Sequence, residues 1–244
     1  MSETGAARFA RYAHPPSALG YCGPPGEPLA ADATAAAVSR AAPRFEGAWP
    51  YLELIAREAG LDDPLDDRVV EAYWLGGALS DAVAPAVLGP WLRDRFGDRL
   101  GVPWPEVEAA VALGGRPTHL FHVFGASPWV ALLAKGLVDE PLRVLDGCRI
   151  GWGEVVAVDA ATVTVVSEPL RWDGTRLILG EAIERPFRVR PGAVARLPSA
   201  GDAVSLHWDR VCEVVGPAAV DRLRTASDEH LELVERRLRV LRRP

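Results

Sequence analysis

The sequence predicts an α+β protein: an N-terminal α-helical domain, then a small β-barrel, then a C-terminal helix. Three observations carry this. Before Cys148 the apolar residues recur at helical spacing, and no strand alternation of any length occurs. Between Glu154 and Trp208, short Val- and Thr-rich stretches are separated by turn formers, the signature of strands. After Gly216-Pro217 a helical pattern resumes and runs to near the end. The acidic turn Asp139-Glu140-Pro141 marks the expected boundary, giving domains over 1–141 and 142–244.

The first 28 residues read as an ordered, irregular arm. A turn of helix around Phe9–Ala13 is expected to stop at Pro15-Pro16, and Gly20–Gly26 is crowded with turn residues. Residues 29–43 are Ala-rich with good helix propensity. A helix over 45–60 is predicted from Trp49, Leu52, Ile55 and Ala56, with Pro50 in its first turn and Gly60 as its stop. Asp62–Asp66 supplies a turn and a cap for the next helix, whose Val69, Val70, Tyr73 and Trp74 share one face. Further helices fit 79–97, 104–113 and 128–138.

In the C-terminal part, strands are expected at Glu154–Asp159, Thr162–Glu168, Arg185–Arg190 and Ala203–Trp208, with an Asp173-Gly174 hairpin within Arg171–Leu179. Five short strands within about 60 residues suggest a closed, OB-like barrel, because closure removes exposed edges. The final helix ends in a run of arginines, Arg236 to Arg243. Cations there complement the helix dipole; a docking tail for an acidic partner is the alternative.

Composition narrows the function. The net charge of −6 excludes a nucleic-acid binder that relies on a broad basic face. Three cysteines cannot form a closed disulfide framework and suit a reducing cytoplasm. No apolar run reaches the length of a membrane span, and the polar start lacks the apolar core of a signal peptide. A cytoplasmic protein is expected. No Walker loop, Rossmann glycine fingerprint or nucleophile elbow is present.

Chemistry is sought among cysteines and histidines. Cys148 and His207 stand at two expected strand ends and offer a thiolate and an imidazole, ligands suited to a transition metal. Their plain alternatives are a buried small apolar residue and a hydrogen-bonded polar end. His14 with Cys22, and His119 with His122, are weaker metal candidates: a site needs three or four ligands, and buried histidines are commonly just hydrogen-bonded.

Two stretches carry a resemblance. Cys148, Gly153 and Val155 fall in register with a Cys-x-x-x-Pro-Gly-x-Val pattern, and Gly201, Asp202, Val204 and His207 fit Gly-Asp-x-Val-x-x-His. In this, residues 146–240 resemble the HypC/HupF/HybG family of [NiFe]-hydrogenase maturation chaperones. Trp152 stands where that family has proline, and Asp209 where it has glycine. Cys148 lies inside the chain, so it has no terminal amine beside it. The resemblance implies a chaperone or carrier, not an enzyme, in which Cys148 and His207 hold an iron fragment with cyanide and carbonyl ligands. Its partner would be the hydrogenase large subunit or a maturation protein. The alternatives are a small-molecule enzyme with a cleft between two domains, using His119, His122, His14 and Cys22, or a structural subunit of a redox complex.

Overall fold

The computed structural model describes residues 4–100 and 102–241; Met1–Glu3 and the basic residues Arg242 and Arg243 lie outside them. The chain mixes helix and sheet. Helices fill it up to Cys148, strands occupy 151–214, and one long helix closes it.

The first helix, α1 (Gly5–Ala18), runs through Pro15 and Pro16 and does not stop at them. The prolines fall in its last turns, and Phe9, Ala10, Tyr12 and Ala13 are fully buried on it. Burying one large apolar side chain contributes about 1.5–3 kcal/mol. Several such side chains offset the roughly 3 kcal/mol that an interior proline costs. Thr4 caps α1 by accepting from the Ala7 N–H. In the Ala-rich stretch only α2 (Ala35–Ala41) is α-helical. The helix α3 (Trp49–Glu58) starts with proline in its first turn, and Gly60 follows in a left-handed conformation (φ 66°). Asp66 caps α4 (Asp67–Leu75), accepting from the Arg68 N–H at 3.0 Å.

The expected helix over 79–97 is divided into α5 (Ala78–Asp81) and α6 (Pro85–Phe96). Pro85 disfavours helical geometry in Ala84, which is extended (φ −66°, ψ 143°) and turns the chain there. After α7 (Trp104–Ala112) comes α8 (His119–Phe121), continued as a π-turn over His122–Ala126. Two further helices follow, α9 (Trp129–Ala134) and α10 (Asp139–Cys148). The acidic turn at 139–141 therefore opens a helix, with Pro141 tolerated in the first turn. Cys148 ends that helix and does not open a strand. The change from helix to strand falls at Arg149-Ile150.

The strands are β1 (Gly151–Asp159), β2 (Thr162–Ser167), β3 (Leu170–Trp172), β4 (Leu177–Leu179), β5 (Ile183–Arg188), β6 (Ala203–His207) and β7 (Arg210–Val214). The Asp-Gly hairpin β3–β4 stands apart as its own two-stranded sheet. The remaining five pair in the order β1-β2-β5-β7-β6, and β6 pairs back onto β1. Every junction is antiparallel except β5–β7, a single parallel bridge between Arg188 and Arg210. β7 takes the place the hairpin was expected to fill. Trp208, in a left-handed conformation (φ 57°), makes the tight turn between β6 and β7. Inside the five strands lie Val155, Val163, Val165, Phe187, Val204, Leu206 and Val211.

The long helix α11 (Pro217–Leu241) joins the two parts. One core unites the faces of α1, α3, α4, α6 and α7 with Ile150, Trp152, Cys212, Leu223 and Leu233 from the C-terminal part. A second gathers Phe124, Val130, Leu145 and Cys148 with the hairpin's Leu170 and Leu177 and with Val234 and Leu238 of α11. Among the described residues no helix is long and apolar enough to cross a membrane.

Candidate functional site

The two motif stretches meet. The Trp208 N–H donates to the Gly147 carbonyl at 2.8 Å, and the Trp208 indole covers Gly147 so closely that a Cβ there would lie 2.6 Å from it. The end of β6 is thus tied to the last turn of α10. His119 links the two chemically: its Nε2–H donates to the Cys148 carbonyl at 3.0 Å, and its ring packs edge-on against that of His207, 5.1 Å between centroids. Trp74 lies against both imidazoles.

His207 is fully buried. Its Nδ1–H donates to the Tyr12 carbonyl at 2.7 Å, because a carbonyl can only accept. In the neutral ring Nε2 is then a bare lone pair, and it meets no hydrogen-bond partner among the described residues. Burial pushes the His207 pKa down to about 4, which keeps the ring neutral. Cys148 is buried as well, and burial pushes its thiol up to about 12. Cys148 and His207 thus both sit inside the protein, Cys148 at the end of a helix and His207 at the end of a strand.

The weaker candidates divide. His14, on α1, donates its Nδ1–H to the Leu29 carbonyl (2.8 Å) and stays apart. Cys22, His119, His122 and Cys148 instead line one cavity of about 100 Å³. Tyr73 and Trp74 of α4 form another wall. The Tyr73 hydroxyl donates to the Gly47 carbonyl at 2.9 Å and lies 3.3 Å from Nδ1 of His119. One phenol proton thus faces two acceptors, since His119 has its own proton on Nε2. His122 Nδ1 is 3.2 Å from the Tyr51 hydroxyl, and burial lowers its pKa to about 4. The i, i+3 spacing of the histidines turns both rings to the same side of the α8 turn. Among the described residues, however, no group of three or more His, Cys, Asp or Glu side chains is arranged to hold a metal ion.

Gly47, Tyr51, Tyr73 and Trp74 escape sequence reading as site residues. The pattern of Tyr51, Tyr73 and Trp74 is that of an ordinary helix core face, Gly47 stands in a turn, and only the fold brings them to the histidines.

The basic end is partly structural. Arg237 is buried, donating to the Phe124 carbonyl and pairing with Glu106 at 3.1 Å. Arg236 and Arg239 pair with Glu232 and Glu235 one turn earlier.

The chain belongs to a protein family: the Family of unknown function (DUF6390) matches residues 1–241. No curated protein matches the chain, and neither does any solved structure.

Proposed function

We propose that this protein is an accessory factor of [NiFe]-hydrogenase biogenesis, built as a HypC-like, OB-like barrel joined to a helical part. Its cargo is an iron fragment, and Cys148 and His207 are its ligands. The observation that carries the reading is the state of His207. A neutral imidazole whose Nδ1–H is held by a backbone carbonyl, leaving Nε2 bare, is the arrangement proteins use to aim a histidine at a metal. The contact between Trp208 and Gly147 supports it further, since it brings the Cys148 and His207 segments together.

On this reading Cys148 stays a thiol until iron arrives, because burial opposes the bare thiolate. Binding then exchanges the thiol proton for the metal and releases it. Two protein ligands leave positions open for onward transfer. The helical part holds Tyr12 against His207 and offers the surface for the client subunit or maturation partner.

The test is infrared spectroscopy of the protein expressed with a hydrogenase operon. Cyanide and carbonyl stretching bands are expected in the wild type and absent from Cys148→Ala and His207→Ala. Bands that persist in Cys148→Ala overturn the carrier role. The small-molecule enzyme draws support from the shared cavity of Cys22, His119 and His122. Against it, burial pushes the thiols of Cys22 and Cys148 up to about 12, so neither is a thiolate nucleophile at neutral pH.

A further inference from the structure

The cavity behind the motif contact has features that iron carriage does not use. It holds about 100 Å³ and lies against a wider surface cleft of about 680 Å³. Tyr21, Cys22, Gly47 and His122 line both, so these four form the neck between them. No Asp, Glu, Lys or Arg lines the inner space. Its polar groups are hydroxyls, thiols and imidazoles. Trp74, Trp129 and Val144 give it apolar walls.

His122 is the polar feature of the neck. Whichever way the Tyr51 proton points, Nε2 keeps one hydrogen bond to give or take, and it has no partner among the described residues. The backbone of Gly47 passes so close that a Cβ there would lie 2.8 Å from Nε2. An engineered apolar cavity of about 150 Å³ in another protein takes up benzene or xenon. A space of about 100 Å³ suits something somewhat smaller.

We propose that this cavity is a binding site for one small uncharged molecule, smaller than benzene or close to it. Its apolar body lies against Trp74, Trp129 and Val144, and one hydrogen-bonding end meets His122. Charged ligands are excluded because nothing in the walls compensates a buried charge. The neck admits the ligand from the cleft, with Cys22 and Gly47 setting its width. The proposal needs neither bound iron nor His207; Cys148 serves it only as part of the wall.

The test uses xenon and pyrazole on the full chain. A saturable, protein-dependent shift of the 129Xe resonance is expected for the wild type. Ala48→Leu, which fills the cavity from its wall, should reduce xenon affinity at least about fivefold, the scale of lost apolar contact. Cys22→Phe, at the half-buried neck, is the second blocking variant should Ala48→Leu fail to fold. Pyrazole, neutral at neutral pH, should displace xenon, whereas acetate should not. His122→Phe should keep xenon and lose pyrazole affinity about fivefold, the scale of one hydrogen bond. An unsaturable xenon shift, xenon binding unchanged in a folded blocking variant, or displacement by acetate as effective as by pyrazole overturns the proposal. The infrared bands of the iron fragment play no part in any of these readouts, so either reading can fail alone.

Discussion

At the scale of single residues, one glycine of the motif has a purely steric role. A Cβ on Gly153 would lie 2.3 Å from the Val166 carbonyl oxygen, a backbone atom of the paired strand β2. Gly153→Ala must push β1 and β2 apart, and a loss of about 3 kcal/mol in denaturant unfolding is expected. Tyr12 gives a second case. Its hydroxyl donates to Glu213 Oε1 at 2.7 Å and accepts from Ser205 Oγ at 2.6 Å, all within the core. Tyr12→Phe leaves the shape intact but takes a hydrogen bond from a buried carboxylate, which costs about 2 kcal/mol. Neither role is legible in the sequence. Gly153 is visible there as a motif position and Tyr12 as an aromatic in an arm, but their neighbours come from other strands and from the far end of the chain.

At the scale of elements, the sequence foretells helices wherever caps and breakers agree with periodicity. Asp66 before α4, Pro50 in the first turn of α3 and Gly60 after it are local signals with local consequences. It misleads where tertiary burial outweighs a local rule, as with Pro15 and Pro16 inside α1. It is silent on β7, because the turn at Trp208-Asp209 contains no glycine to mark it. The cavity is equally hidden, since residues near 22, 47, 73, 122 and 148 converge only in three dimensions. In α11, His230 makes a pH prediction. Its Nδ1–H donates to the Ala226 carbonyl at 2.7 Å, and burial, aided by nearby Arg116, lowers its pKa from 6.5 to about 4. The unfolded chain therefore takes up the proton first. The stability this histidine leaves intact above pH 6.5 is lost as pH falls toward 4, by up to about 3 kcal/mol. Unfolding free energies across that range should fall less steeply for His230→Leu than for the wild type.

At the scale of the whole molecule, the secondary structure changes at Arg149-Ile150 but the packing does not divide there. Ile150, Trp152, Cys212, Leu223 and Leu233 belong to the same core as the faces of α1 and α4. Arg8 bridges Asp67 of α4 and Glu213 of β7, tying the helices to the sheet through buried charge. One cooperative transition is expected in thermal and denaturant unfolding, with fluorescence and circular dichroism coincident. A fragment spanning 142–244, stripped of that shared core, should lack dispersed amide resonances. Two separated transitions, or a well-folded fragment, would show that the parts stand on their own.

The link between α1 and β7 also sets a clock. The Tyr12–Glu213 hydrogen bond joins residues 201 positions apart. At a synthesis rate of roughly 5–20 residues per second, the first helix leaves the ribosome some 10–40 seconds before its last partner exists. Through that interval Tyr12, fully enclosed in the finished protein, has neither Ser205 nor Glu213 to bond to. A nascent chain of this kind depends on holding its opening segment in reserve, and contacts of such long range close slowly even after release.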